Sequence, residues 1–267
     1  MFQITIPLLY AGAGVALAMS RLPRFSGIAS PLVLAGLATL AGSILWHATT
    51  LIGLILVPQG LQLSLANSAS FVGLQLALIA LLGNYDARLR GLTAGLLLLA
   101  AVAVMPTGAH PSDDAVATSW QLQAHILISL FAYGLLAVGA IVAAFALAQE
   151  RRLRARQLNS INALFAPLET TERMLFGITT GGFLSLLLAV LSGFLFVENL
   201  FAQHLVHKTV LSIIALLIFG VLLAGRAFYG WRGRRAVSLY LWGFVILCLA
   251  YFGSRFVLEI LLHRNWG

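Results

Sequence analysis

Apolar residues run along this chain in long blocks that favour no face. Ile4–Met19, Pro31–Leu56, Asn67–Gly83, Leu89–Met105, Trp120–Ala148, Met174–Val197, Val206–Arg226 and Val237–Leu262 are hydrophobic all round, with no two-residue alternation. A helix that is apolar on every side belongs inside a bilayer, and about 20 apolar residues of helix cross one. The pattern predicts an all-α, polytopic membrane helix bundle of about eight transmembrane helices, built as one domain over residues 1–267.

Composition supports the same class. Hydrophobic residues make up 61% of the 267 positions and charged residues 9%, whereas a soluble surface takes roughly 25% charged residues. The excess apolar surface has to face membrane lipid. Met1-Phe2-Gln3 brings no Lys or Arg ahead of the first block, so a cleaved leader lacks its positive region and the first helix is expected to stay.

The net charge of +8 changes the picture only through its placement. Thirteen of the sixteen basic residues fall on alternate loops: Arg21 and Arg24; Arg88 and Arg90; Arg151, Arg152, Arg154, Arg156 and Arg173; Arg226, Arg232, Arg234 and Arg235. Positive loops stay in the cytoplasm. Both termini are then expected outside, which requires an even number of spans. Short basic loops between apolar runs do not make a nucleic-acid reader, so no nucleic acid is expected as a partner. The longest cytoplasmic segment, 149–173, reads as a solvated connector, with docking of a membrane or cytoplasmic protein partner as its functional alternative. The outer stretch Pro106–Ser119 is turn-rich and acidic through Asp113 and Asp114. Gly177 and Gly181 form a GxxxG, read as close helix packing. A single cysteine, Cys248, excludes an intrachain disulfide.

The six histidines carry the candidate chemistry. With the topology set by Arg and Lys alone, His47, His110, His125, His204, His207 and His263 all fall toward the outer side. Neutral imidazole is a metal ligand that costs little at membrane depth. Two such rings facing each other can hold haem iron, and haem propionates call for cations. Lys208, Arg255 and Arg264 are the only basic residues on that side, and Trp46, Trp120 and Trp266 lie near the same level. Plainer roles remain open at each position. His47 suits an interhelical hydrogen bond. His110 and His204 suit loops, and His263 an interfacial anchor. The tryptophans fit an ordinary aromatic belt, and Arg255 and Glu259 suit an i,i+4 pair. No nucleophile–base pair is recognisable, so no catalytic residue or enzyme activity is assigned.

Several segments look familiar together. Ser119-Trp120-Gln121-Leu122-Gln123-Ala124-His125 precedes Leu130-Phe131-Ala132-Tyr133-Gly134. Phe201 leads to His207-Lys208-Thr209-Val210. Tyr229-Gly230-Trp231-Arg232-Gly233-Arg234-Arg235-Ala236 and Leu249-Ala250-Tyr251-Phe252-Gly253-Ser254-Arg255-Phe256 follow, then His263. This set resembles the cytochrome c assembly protein family (CcsA/CcmC-like), and most closely its eight-span YpjD- or HemX-like subgroup in the bacterial inner membrane. The resemblance implies a haem-binding, haem-handling protein working at the outer face, with His125 and His263 as axial iron ligands. His207 and His47 follow as further candidates, with Arg255 and Lys208 as propionate partners and Trp120 as a wall. One departure limits it. The family's Trp-rich loop between the sixth and seventh spans corresponds here to residues 197–208, which contain no tryptophan. Presentation of haem to apocytochrome is therefore not implied. Two rivals stand beside this reading. A HemX-like regulator or scaffold of tetrapyrrole synthesis would work through 149–173. A transporter would want midplane polar groups and broken helices, which the outward clustering here does not favour.

Overall fold

A computed structural model describes residues 2–57, 60–61, 65–107, 119–155, 166–196 and 206–250. Eight helices carry them: α1 Phe2–Met19, α2 Ala29–Ile55, α3 Leu65–Gly83, α4 Arg90–Val104, α5 Trp120–Arg154, α6 Leu168–Phe196, α7 Val206–Tyr229 and α8 Arg234–Cys248. Short 3₁₀ turns at Pro23–Ile28 and Ala87–Leu89 lead into α2 and α4. A two-residue antiparallel pair, β1 Leu56–Val57 with β2 Gly60–Leu61, follows α2 in the register Leu56 to Leu61 and Val57 to Gly60. Among the described residues, six helical stretches are long and apolar enough to cross a membrane, and α1 adds a shorter apolar helix. The protein is an all-α, polytopic membrane helix bundle. In lipid this follows from hydrogen bonding, because a helix satisfies its own backbone groups where no water can.

The expected spans coincide with helices, but two are longer than their apolar cores. Helix α5 runs on to Arg154 and α6 begins at Leu168, ahead of Met174. The connector 149–173 is therefore helical at both ends rather than a plain loop. Charged residues sustain each extension: Glu150 pairs with Arg154 at 2.7 Å and Glu169 with Arg173 at 3.3 Å, both at i,i+4. Pro167 sits just before α6, where a missing N–H costs nothing. Helix α8 is described as far as Cys248. Residues 251–262 of the eighth predicted span lie outside the described residues.

The chain divides into two compact units, residues 1–118 with 145–174, and residues 119–144 with 175–267. In the first unit, α1, α2, α3 and α4 pack through small residues. Gly14 on α1 meets the Ala94 carbonyl of α4, and Gly36 on α2 meets Leu17 and the Ala13 carbonyl of α1. Gly73 on α3 abuts Ala100 and Val104 of α4, and Gly83 abuts Thr93 and Met174. Without a hydrophobic driving force between helices in lipid, such close approach is what holds them. These contacts also gather the end of α1, the end of α3 and the starts of α4 and α6. Arg21, Arg88, Arg90 and Arg173 thereby reach one end of the unit.

In the second unit, α5 and α6 pair antiparallel. Trp120 meets Phe196, His125 meets Ser192 and Gly193, Leu135 and Leu136 meet Gly181 and Gly182, and Gly139 lies by Ile178. The expected GxxxG packing is thus carried by Gly181 and its neighbour Gly182, whereas nothing stands within 4 Å of a Cβ built on Gly177. The phenol of Tyr240 on α8 fills the notch left by Gly139 and donates to the Leu136 carbonyl at 2.8 Å. It also packs edge-on against Phe219 of α7. At the far end of α7 the chain turns through Gly230 at φ 64°, a left-handed conformation that glycine adopts without strain. Trp231 then folds back over Gly225, Arg226 covers the Phe176 ring at 4.7 Å, and Arg235 covers Trp231 at 5.4 Å. The described arginines of this unit thus cluster at the end of α7 and the start of α8.

Candidate functional site

Among the described residues, each unit holds one histidine within a membrane span, and the two are held differently. In the first unit His47 lies eight residues, roughly 12 Å, before the end of α2, in the half of the unit away from Arg21, Arg88, Arg90 and Arg173. Its Nδ1 bonds the Tyr10 hydroxyl of α1 at 2.9 Å and its Nε2 bonds the Ser70 hydroxyl of α3 at 2.9 Å. Tyr10, His47 and Ser70 are each 0% exposed. A buried polar group in an apolar surround must be hydrogen-bonded, and here three helices meet that demand together. Both ring nitrogens of His47 are committed to protein partners, which is the interhelical reading of this residue. Ser70 and His47 stand at nucleophile–base distance, but full burial keeps water and substrate from them.

In the second unit His125 lies five residues, about 7.5 Å, inside the start of α5. Its Nδ1 bonds the Ser192 hydroxyl of α6 at 2.9 Å. The ring rests against Gly193, where an added Cβ would approach Cε1 to 3.1 Å. Among the described residues no protein group bonds Nε2, and the ring is half-buried rather than closed in. Toward the helix ends, exposed Trp120 and half-exposed Phe196 face each other with centroids 6.4 Å apart. They form an aromatic pair about one turn beyond the imidazole. Helix α7 runs antiparallel to α6, with Gly220 against Phe183 and Arg226 against Phe176. Continuing that register puts His207 level with Phe196. His207 is exposed and Lys208 half-buried at the start of α7.

Among the sequence candidates, His125, Trp120, His207 and Lys208 therefore share the end of one unit opposite its described arginines, and His47 belongs to the other unit. His263, Arg255, His110 and His204 lie outside the described residues, as does most of the tryptophan-free 197–208 stretch. No cluster of three or more His, Cys, Asp or Glu side chains stands ready for a metal ion among the described residues. A haem site needs fewer protein donors, since the porphyrin supplies four nitrogens and the protein one or two axial groups. An imidazole with one nitrogen anchored and the other open fits that donor set; His47 in its present bonding does not offer it. Sequence reasoning did not single out Tyr10, Ser70, Ser192, Gly193 or Phe196. Polar residues within apolar spans were the available signal for three of them, but Tyr and Ser are common enough there to point nowhere alone.

A family model described as cytochrome C assembly protein matches residues 37–262, a stretch that includes His47 and His125. The chain belongs to the cytochrome c assembly protein family. Among curated proteins, the inner membrane protein YpjD of Escherichia coli strain K12 is 40% identical over 137 residues, 51% of this chain and 52% of that protein. A 28.8 kDa protein of Azospirillum brasilense is 34% identical over 141 residues, 52% of each chain. The matched region thus spans about half the length of these relatives. No solved structure matches. Like the YpjD-type members it resembles, this family member is a multi-pass protein of the bacterial inner membrane.

Proposed function

We propose that this member of the cytochrome c assembly family holds haem in the outer half of the membrane, with the iron bound by His125. The observation that carries the reading is the open Nε2 of an imidazole whose other nitrogen is anchored on Ser192. Its place supports the same reading. The described arginines of its unit lie at the opposite end, and positive-inside logic turns the site's end outward. The finer topology follows: eight spans, with both termini outside. Trp120 and Phe196 wall the approach to the ring, and Lys208 and His207 stand at the same end. His263 and Arg255 complete the proposal by family resemblance, as second axial ligand and propionate partner. His47 acts as a bridge between helices. Held there, haem is cargo or a bound group whose iron carries the redox chemistry; the chain's own residues bind it, orient it and keep it from water. No catalytic step is assigned.

The test uses the full chain purified in detergent. Reduced-minus-oxidised spectra are recorded as isolated and after titration with haemin. A Soret band that tracks the protein and is lost in His125→Ala is the expected result, with His263→Ala weakening it or changing its spin state. Binding unchanged in the His125→Ala/His263→Ala double variant would refute the site.

A further inference from the structure

The two membrane-depth histidines differ in one respect that bears on chemistry: His47 is closed at both nitrogens and His125 at one. What closes the Nδ1 side of His125 also decides where its proton sits. The Ser192 hydroxyl lies 2.9 Å from Nδ1 and 2.9 Å from the Ala189 carbonyl one turn back on α6. A hydroxyl has a single hydrogen to give. Two oxygens 2.9 Å apart with no hydrogen between them repel, and a carbonyl can only accept, so the Ser192 proton goes to Ala189. The serine is then left with lone pairs toward the ring. Nδ1 therefore carries the hydrogen of the neutral ring, and Nε2 carries the lone pair. Gly193 adds the orientation. It leaves the ring a seat that a Cβ, 3.1 Å from Cε1, would crowd.

We propose that Ser192 is a positioning residue for the His125 site: it accepts the Nδ1–H hydrogen bond, fixes that tautomer, and leaves the Nε2 lone pair directed at a metal centre. A ligating histidine whose second nitrogen is anchored keeps its tautomer and ring orientation and is a better donor. The metal-directed half of the proposal rests on the haem reading above. The hold of Ser192 on the ring does not.

Two measurements separate these halves. The first needs no haem: ¹⁵N-histidine NMR of the full-length apoprotein in micelles, with His125→Gln identifying the resonances. The expected spectrum has a protonated Nδ1 and an unprotonated Nε2 at His125 in the wild type and in Ser192→Thr, which keeps the hydroxyl. Ser192→Ala should show mixed tautomers. The second is haemin titration with the midpoint potential of the bound iron. Ser192→Ala should lose about 10- to 100-fold in affinity and shift the potential, while Ser192→Thr restores both toward wild type. A wild-type apoprotein with its proton on Nε2 overturns the proposal, whatever the haem data show. So does a Ser192→Ala protein that keeps tautomer, affinity and potential. If the tautomers come out as expected but haemin binds His125→Ala as well as wild type, the haem reading fails and only the hold of Ser192 on the ring stands.

Discussion

Tyr10→Phe removes one oxygen from the centre of the first unit and nothing else. The phenol it deletes is 0% exposed and bonds His47 Nδ1 at 2.9 Å, while the other side of the imidazole stays on Ser70. Nδ1 thereby loses its buried hydroxyl partner. In soluble proteins such a deletion costs about 1–3 kcal/mol. Between transmembrane helices the measured coupling is smaller, averaging about 0.6 and reaching about 1.7 kcal/mol, because the unfolded helices find other partners in lipid. Complete burial and a bond on each ring nitrogen put this case in the upper part of that range, at about 1–1.7 kcal/mol. His47→Leu orphans the Tyr10 hydroxyl instead; Ser70 can turn back to its own helix. The Tyr10→Phe/His47→Leu double variant removes both members of the pair and should cost less than the sum of the singles, by about 0.6–1.7 kcal/mol. Reversible unfolding of the four proteins in mixed micelles, titrated with sodium dodecyl sulfate and followed by far-ultraviolet circular dichroism, gives that coupling directly. Strictly additive single variants, or a Tyr10→Phe protein as stable as wild type, would refute the idea that His47 bridges the helices.

Other expectations follow from the same packing. Gly139→Ala drives a methyl group into the Tyr240 phenol and should destabilise the protein by about 1–3 kcal/mol, read as a lower melting temperature in detergent; an unchanged melt would deny the α5–α8 contact. Trp120→Ala removes an exposed ring, so stability should stay within about 0.5 kcal/mol. Haemin affinity should nonetheless fall by roughly 2- to 10-fold if the aromatic contact is worth about 0.5–1.5 kcal/mol; equal affinity would remove Trp120 from the site. Reporter fusions should score cytoplasmic after Ala155 and outside after Gly267, and a cytoplasmic score at Gly267 would break the even span count.

Much of the fold is legible in the apolar blocks because bilayer thickness sets helix length and lipid forbids other backbones. The helix boundaries were less legible where charge takes over from hydrophobicity. The α5 and α6 extensions carry the i,i+4 pairs Glu150–Arg154 and Glu169–Arg173, and hydropathy registers such charges only as the end of an apolar run. The packing glycines were only half legible. GxxxG spacing pointed to Gly177 and Gly181, but the α5 side chains Leu135 and Leu136 meet Gly181 and Gly182. Spacing fixes a helix face, and only the neighbour decides which part of that face is covered.

For the candidate site the division is sharper. Sequence alone determined that this is a multi-spanning membrane protein, that thirteen of its arginines fall on alternate loops, and that His47 and His125 lie in apolar blocks with no arginine near them. Those facts depend on residue type and on order along the chain. It could not say that His47 is closed and His125 open. That difference arises because Tyr10 and Ser70 arrive on two other helices to take both nitrogens of one ring, while Ser192 and Gly193 arrive on a single helix and take only one side of the other. Hydrogen-bond partners 23, 37 and 67 residues apart are brought within 2.9 Å by helix packing, and nothing local in the sequence encodes that meeting.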